Sequence, residues 1–289
     1  MGFPLDRASI EAAFVTASRA ELAALKPGNV HIHSAGHGMD ISHFERAAEA
    51  AAPFLADPTR GVGARILGAV GASVGATGLN TNLGIVLLSA PLAAAAGARD
   101  SEGDLRERLV RVLAVLDPAD ADQTFQAIVV ANPGGLGKVE TGDVSSPPTM
   151  SLTQAMAIAA DRDRIARAYV TGFEDVFDFG LPTLQAARRV AVNDDLAITA
   201  LHMSFLSSFP DSHIVRKYGE DVARSITSEA AEMKAHWWPA PQQKGLLKLL
   251  EFDASLKARG INPGTTADFV VATLFADLLI HQSATNKLS

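Results

Sequence analysis

The chain contains no cysteine, which removes disulfides, thiol nucleophiles and cysteine-ligated zinc and fits a reducing compartment. It also lacks any excess of positive charge. A net charge of -7 and a pI near 5.6 give no broad basic field, so neither nucleic acid nor an anionic membrane is expected as a partner, while a small polyanion in a local basic pocket is allowed. Between Met1 and Arg19 there is no uninterrupted apolar run, because Asp6, Arg7 and Glu11 stand among the apolar residues. No signal peptide is read there, and a cytoplasmic location is expected. Charge is missing altogether between Arg65 and Arg99, a stretch long enough to span a bilayer. Asn80, Thr81, Asn82, Pro91 and six glycines within it would leave polar groups unsatisfied in lipid. Two buried helices joined by a polar turn are the better reading.

What is present is the balance of a globular protein with a sizeable core: 289 residues, 48% hydrophobic and 20% charged. Alanine-rich segments with apolar residues every three or four positions recur over Glu11 to Leu25, Phe44 to Leu55, Leu152 to Val170, Leu196 to Phe209 and Thr266 to His281, and these are read as helices. Ser151, Asn193 and Thr265 or Thr266 are plausible N-caps for three of them. Strand signals are confined to Val30 to Ile32 and Phe125 to Val130. No repeat and no Ser/Pro/Gly linker divides the chain. The expectation is an all-α fold, a single multi-helix domain over residues 1–289 whose glycine- and asparagine-rich loops form a central pocket. The segment Asn132 to Thr149, with four glycines and three prolines, reads as a functional loop, with a mobile lid as its role.

Six segments carry the polar chemistry. Lys26-Pro-Gly-Asn-Val30 closes the first helix, either as a plain terminus with a solvated lysine or as a lysine aimed at phosphate. After it come His31, His33, His37 and His43 with Asp40, where a His-x-His pair opens the alternative of a zinc site and a metal-dependent hydrolase. No alternating strand and helix pattern follows to support that barrel. Thr77-Gly-Leu-Asn-Thr-Asn-Leu-Gly84 places Asn80 and Thr81 between glycines at the start of a buried helix, a turn that suits phosphate. Asn132-Pro-Gly-Gly-Leu-Gly-Lys138 is not a Walker A loop, because Lys138 is not followed by Ser or Thr. Glu174, Asp175 and Asp178 share one face if the segment is helical, as a magnesium site or as a solvated acidic face. Asp161-Arg-Asp-Arg164 reads as surface ion pairing. Pro210-Asp-Ser-His-Ile-Val-Arg-Lys-Tyr-Gly219 brings a carboxylate, a hydroxyl, an imidazole and two cations between two helices, with the Arg216 fork suited to phosphate. Ile261-Asn-Pro-Gly-Thr-Thr-Ala-Asp268 repeats the glycine and threonine entry into an apolar helix, with Asp268 in its first turn as dipole partner or metal ligand.

In this order the segments resemble the triphosphoribosyl-dephospho-CoA synthase family. Glu21 with Lys26-Pro27-Gly28 looks like its opening motif, and Gly36, His37, Met39 and Asp40 approximate its Ala-His-x-Asp-Met-Asp. Gly78, Asn80, Thr81 and Gly84 match Gly-Val-Asn-Thr-His-Lys-Gly. Asp211, Arg216 and Gly219 resemble Asp-Thr-Asn with Arg-Gly-Gly, and Pro263, Gly264, Ala267 and Asp268 resemble Pro-Gly-Gly-Ser-Ala-Asp. The family's histidine and lysine are Asn82 and Leu83 here, Thr265 and Thr266 replace its Gly-Ser, and its Gly-Ile-Arg-Gly-Glu-Ala is not found, a pattern that resembles a divergent branch in methanogens and methylotrophs.

The resemblance implies an all-helical enzyme that joins the ribose of ATP to dephospho-CoA with loss of adenine. The expected assignments are Lys26, Gly28, Asn80, Thr81, Gly84, Arg216, Lys217 and Thr265 for phosphate or sugar, and Asp40, Asp211 and Asp268 as magnesium ligands or base. Mg2+ is the expected cofactor, with ATP and dephospho-CoA as candidate substrates; a homo-oligomer is left open. With Leu83 in place of lysine, one charge-assisted contact worth about 1.5 to 3 kcal/mol is absent. A less charged substrate is then preferred unless Lys138 or Lys217 compensates. A sister reaction on a one-carbon carrier precursor of the methanopterin or methylofuran type, and a non-catalytic nucleotide-binding protein, are the alternatives.

Overall fold

Helix supplies the regular structure of this computed structural model, which describes residues 4–32, 34, 39–98, 102–132 and 148–285. Among the described residues β structure is limited to isolated bridges such as His31 with Ser34. The helices are α1 (Arg7–Ala23), α2 (Ile41–Leu55), α3 (Val62–Thr77), α4 (Leu83–Gly97), α5 (Leu105–Ala114), α6 (Pro118–Ala131), α7 (Leu152–Ala159) and α8 (Arg164–Thr171). After a π-helical turn, Asp175–Gly180, come α9 (Leu181–Arg188), α10 (Asp194–Ser208), α11 (Ser212–Tyr218), α12 (Glu220–Glu232), α13 (Lys234–Trp237), α14 (Gln243–Ala258) and α15 (Gly264–Thr285). The chain divides into two compact units. The first is Met1–Ser18, His43–Glu174 and Leu274–Ser289, and the second is Arg19–Ser42 and Asp175–Thr273. Three of the crossings fall inside α1, α2 and α15, so no linker composition marks them.

The uncharged stretch forms α3 and α4 in the first unit, 16 and 15 residues long, short of the roughly 20 that cross a bilayer. Among the described residues only α15 is long and apolar enough to do so by length and composition, and 72% of its apolar window is buried in the molecule. Inside α4, Pro91 has no N–H to give the Leu87 carbonyl four residues back. The buried Tyr169 hydroxyl donates to that carbonyl instead, at 2.7 Å. Arg65 donates through its guanidinium to the Leu55 carbonyl at the end of α2 and to the Arg60 carbonyl in the turn before α3, and burial lowers its pKa to about 10. α3 and α6 touch backbone to backbone: a Cβ on Gly63 would lie 2.5 Å from Asp120 Cα, and the Gly63 amide donates to Asp120 Oδ1 at 2.7 Å.

The second unit is built on Met203, Leu206, Ile214, Ile226, Trp237, Leu249, Phe252 and Leu256, the Trp237 indole donating to the Ala230 carbonyl at 3.0 Å.

Several sequence expectations are redrawn. Phe125 to Val130 lies within α6, where its packing on α3 decides against its β propensity. Leu152 to Val170 is two helices, because Asp163 caps a new one by accepting from the Ile165 and Ala166 amides at 2.8 and 3.2 Å. This capping role is not part of the sequence reading of Asp163. Ser151 and Asn193 do cap α7 and α10, whereas α15 starts at Gly264, placing Thr265 and Thr266 inside its first turn. Glu174 accepts two bonds from Arg167, at 3.1 and 2.8 Å, while Asp175 and Asp178 sit in the π-helical turn that follows Gly172 and Phe173, both at positive φ. Asp175 is buried and Asp178 exposed, and among the described residues no three such side chains gather to hold a metal ion, so the magnesium alternative for this trio is not supported.

Candidate functional site

Residues 24–31 of the second unit are non-helical and every one is buried. Loops normally run over the surface because their backbone groups need water; here the turn's own backbone and buried side chains supply partners. Asn29 N donates to the Lys26 carbonyl at 3.0 Å, closing a turn. Gly28, at φ +85°, donates its amide to Asp253 Oδ1 at 2.8 Å. A Cβ there would meet Pro263 Cδ at 2.8 Å and Leu256 Cδ1 at 3.0 Å, so glycine is required both for the angle and for the space. The Lys26 ammonium is buried with Glu21 as an ion pair and lies 3.2 Å from Asn29 Oδ1. Asn29 Nδ2 in turn donates to Asn262 Oδ1 at 2.8 Å. The two motif residues Glu21 and Lys26 are thus one ion pair, and Lys26 is not a lysine extended toward solvent.

Burial raises the pKa of Glu21 and lowers that of Lys26, each opposed by the attraction of the other. Beside the turn, burial opposes ionisation of Asp253, but His31, the Gly28 amide and Lys257 together hold its pKa below the usual carboxylate range. His31 Nε2 is 3.4 Å from Asp253 Oδ1, and burial keeps this imidazole below its ordinary value. Lys257 Nζ lies 3.1 Å from Asp253 Oδ2 and 3.2 Å from the Ser34 carbonyl. From α10, His202 is fully buried in the field of Lys26, His31 and Asp253, and neither ring nitrogen makes a hydrogen bond among the described residues. Burial first, then Lys26, lowers its pKa to about 3, against a smaller pull from the Pro27 carbonyl.

The fifth and sixth segments are joined by Asp211. Its Oδ1 accepts from the His213 and Ile214 amides at 2.9 and 3.1 Å, and its Oδ2 from Thr266 N and Oγ1 at 2.7 and 2.9 Å. Four donors occupy the four acceptor positions of a carboxylate, so this side chain caps α11 and ties it to α15, leaving no lone pair for a metal ion or a substrate proton. Thr265 Oγ1 accepts from His213 N at 3.2 Å, which commits that hydroxyl to the same junction. Arg216 is half-buried, with Nη2 3.4 Å from His213 Nδ1. Lys217 is exposed over the Tyr218 ring at 5.2 Å. Asp268 is half-buried and contributes to the field at Lys26, while Asp40 is exposed and accepts from Ser42 Oγ at 2.7 Å.

The turn of residues 77–84 belongs to the first unit. Gly78 ends α3 at φ +70°, and exposed Asn80 accepts from Leu83 N at 3.4 Å. Thr81 Oγ1 is buried without a hydrogen-bond partner among the described residues, and Gly84 is the second residue of α4. Asn82 turns inward, donating to Ser73 Oγ at 3.0 Å. Among the described residues no group of three or more His, Asp or Glu side chains is placed to hold a metal ion. His33, His37, Lys138 and the proposed lid from 133 to 147 lie outside the described residues.

Sequence reasoning missed Asp253, Lys257 and His202. Asp253 and Lys257 are four apart on a helix, the signature of an ordinary surface pair, and nothing in that spacing ties Asp253 to a glycine 225 residues away.

The family model described as ATP:dephospho-CoA triphosphoribosyl transferase matches residues 7–287. The 2-(5''-triphosphoribosyl)-3'-dephosphocoenzyme-A synthase of Pectobacterium atrosepticum is 28% identical over 103 residues, 36% of this chain and 32% of that protein. A Stutzerimonas stutzeri protein provisionally given the same name is 32% identical over 110 residues, 37% of each chain. The chain thus spans about a third of the length of the curated relatives it matches. A crystal structure from Archaeoglobus fulgidus, provisionally named triphosphoribosyl-dephospho-CoA synthase, is 25% identical, with a TM-score of 0.61 over 80% of this chain and 96% of the other.

Proposed function

Because the chain belongs to the ATP:dephospho-CoA triphosphoribosyl transferase family, we propose that it transfers the triphosphoribosyl group of ATP to a hydroxyl of dephospho-CoA and releases adenine. The acceptor oxygen bonds to C1′ of the ribose, the C1′–N9 bond breaks, and the hydroxyl proton ends on adenine. The observation that carries the reading is the gathering in the second unit of three segments far apart in sequence. The Lys26 turn is held to the 262–263 turn by Asn29 and Asn262, and the 211–216 segment is held to the start of α15 by Asp211 and Thr265.

In this reading the cations Arg216 and Lys217 serve the phosphates, and the buried Glu21–Lys26 pair forms a fixed polar floor. Asp268 and Asp40 are the carboxylates for base or metal, because Asp211 is spent as a clamp. Magnesium would enter with the triphosphate, which supplies most of its oxygen ligands, so one or two carboxylates suffice on the protein side. The assignment of Asn80, Thr81 and Gly84 to phosphate or sugar rests on their motif alone.

A second reading, a less charged substrate such as a pterin- or furan-type precursor, is favoured by the turn of residues 77–84. It has Leu83 where the family has lysine, and its Asn82 amide is bonded to Ser73. Chromatographic assay of adenine release from ATP, with product mass, in the presence of dephospho-CoA or such precursors separates the two. Adenine release that depends on dephospho-CoA and magnesium supports the first reading. Release with the precursors alone transfers the proposal to the second, and none with any acceptor refutes both.

A further inference from the structure

The segment that carries Lys26 is buried and non-helical, turns at Gly28 with φ +85°, and has its Gly28 amide held from outside by the side chain of Asp253. Asp253, on α14 and 4% exposed, accepts the Gly28 amide at 2.8 Å and faces the His31 ring at 3.4 Å. Through Lys257, 3.1 Å away, it reaches the Ser34 carbonyl. The turn's own polar side chains point elsewhere, Lys26 to Glu21 and Asn29 to Asn262. Asp253 supplies the buried Gly28 amide with an acceptor at 2.8 Å, the pairing that buried backbone donors require.

We propose that Asp253 is a positioning residue: its oxygen fixes the Lys26–Asn29 turn against α14 and the entrance of α15, and so sets where the Lys26–Glu21 pair and Asn29 stand toward a bound nucleotide. The working element is an acceptor at one place, in preference to a negative charge. A metal-ligand role does not fit, since its oxygens already meet the Gly28 amide, His31 and Lys257. The proposal rests on the reading that this turn faces ATP.

The test compares Asp253→Asn, Asp253→Glu and Asp253→Ala. Asparagine keeps an oxygen in the same place without charge, whereas glutamate keeps the charge and moves the oxygen by one methylene. The expected result is a KM for ATP within threefold of the native value in Asp253→Asn and at least tenfold higher in Asp253→Glu and Asp253→Ala, with kcat changed less than threefold throughout. If Asp253→Ala does not fold, the contrast between Asn and Glu decides alone. A native KM in Asp253→Glu, or an Asn variant as damaged as Glu, overturns the proposal. Hydrogen exchange at the Gly28 amide separates this outcome from failure of the functional reading. Should the native protein release no adenine, exchange slow in Asp253→Asn and fast in Asp253→Glu still supports positioning of the turn, and equal exchange in the two variants overturns it.

Discussion

His202 is a costly residue to keep. A fully buried imidazole with no hydrogen-bond partner among the described residues forfeits its hydration, with only the weak pull of the Pro27 carbonyl in return. Its folded pKa of about 3 lies below the unfolded value of about 6.5. Between these values the unfolded chain holds a proton that the folded chain does not, so stability rises with pH through this window and is lost as pH falls from about 6.5 toward 3. The slope is at most about 1.4 kcal/mol per pH unit. His31, lowered in the same direction, adds to it. Replacing His202 by leucine is expected to leave stability at pH 7 equal or higher and to flatten this acid slope. Urea midpoints at pH 7 and pH 5 measure both; an unchanged slope would show that the imidazole is not buried neutral.

Tyr169 makes the opposite case, a buried polar atom with a defined partner. Tyr169→Phe strips the Leu87 carbonyl of its donor, at a cost of about 1 to 3 kcal/mol, read as a lower melting temperature. Pro91→Ala returns a backbone N–H to that carbonyl, so the penalty of Tyr169→Phe is expected to shrink in the Pro91→Ala background. Equal penalties in the two backgrounds would mean that the hydroxyl does not serve the proline-freed carbonyl.

Helix α3 shows how one substitution can act with opposite signs along a single element. A methyl at Gly63 would enter the Asp120 backbone at 2.5 Å, and overpacking of this kind costs about 1 to 3 kcal/mol. Gly75, in the same helix, has nothing within 4 Å of an added Cβ, and alanine there gains about 0.8 to 1 kcal/mol of helix propensity. Thermal melts of Gly63→Ala and Gly75→Ala should therefore move in opposite directions, and movement in the same direction would contradict the close approach of α3 and α6.

Helices of this kind were legible in the sequence because apolar spacing and caps are local properties, as Ser151 and Asn193 illustrate. The break between α7 and α8 was hidden because Asp163 reads equally well as an ion-pair partner or as a cap. At the proposed site, the motifs singled out segments whose Lys26, Asp211 and Asp268 lie in one unit. What each carboxylate does was not legible, since the four donors on Asp211 and the reach of Asp253 to Gly28 are set by packing across 55 and 225 residues of chain.

At the scale of the whole molecule, the chain makes two compact units with helices running from one into the other, and the nucleotide-handling chemistry proposed here is assembled within the second. The first unit holds its own motif, residues 77–84, on the α3–α4 connection. The central claim is that the 26–30, 211–216 and 262–268 segments form one nucleotide site, and it is tested most directly by hydrogen exchange with and without ATP and magnesium. The expected result is simultaneous slowing at the amides of all three segments. Slowing in none of them, with ATP bound and protection appearing elsewhere, would contradict it.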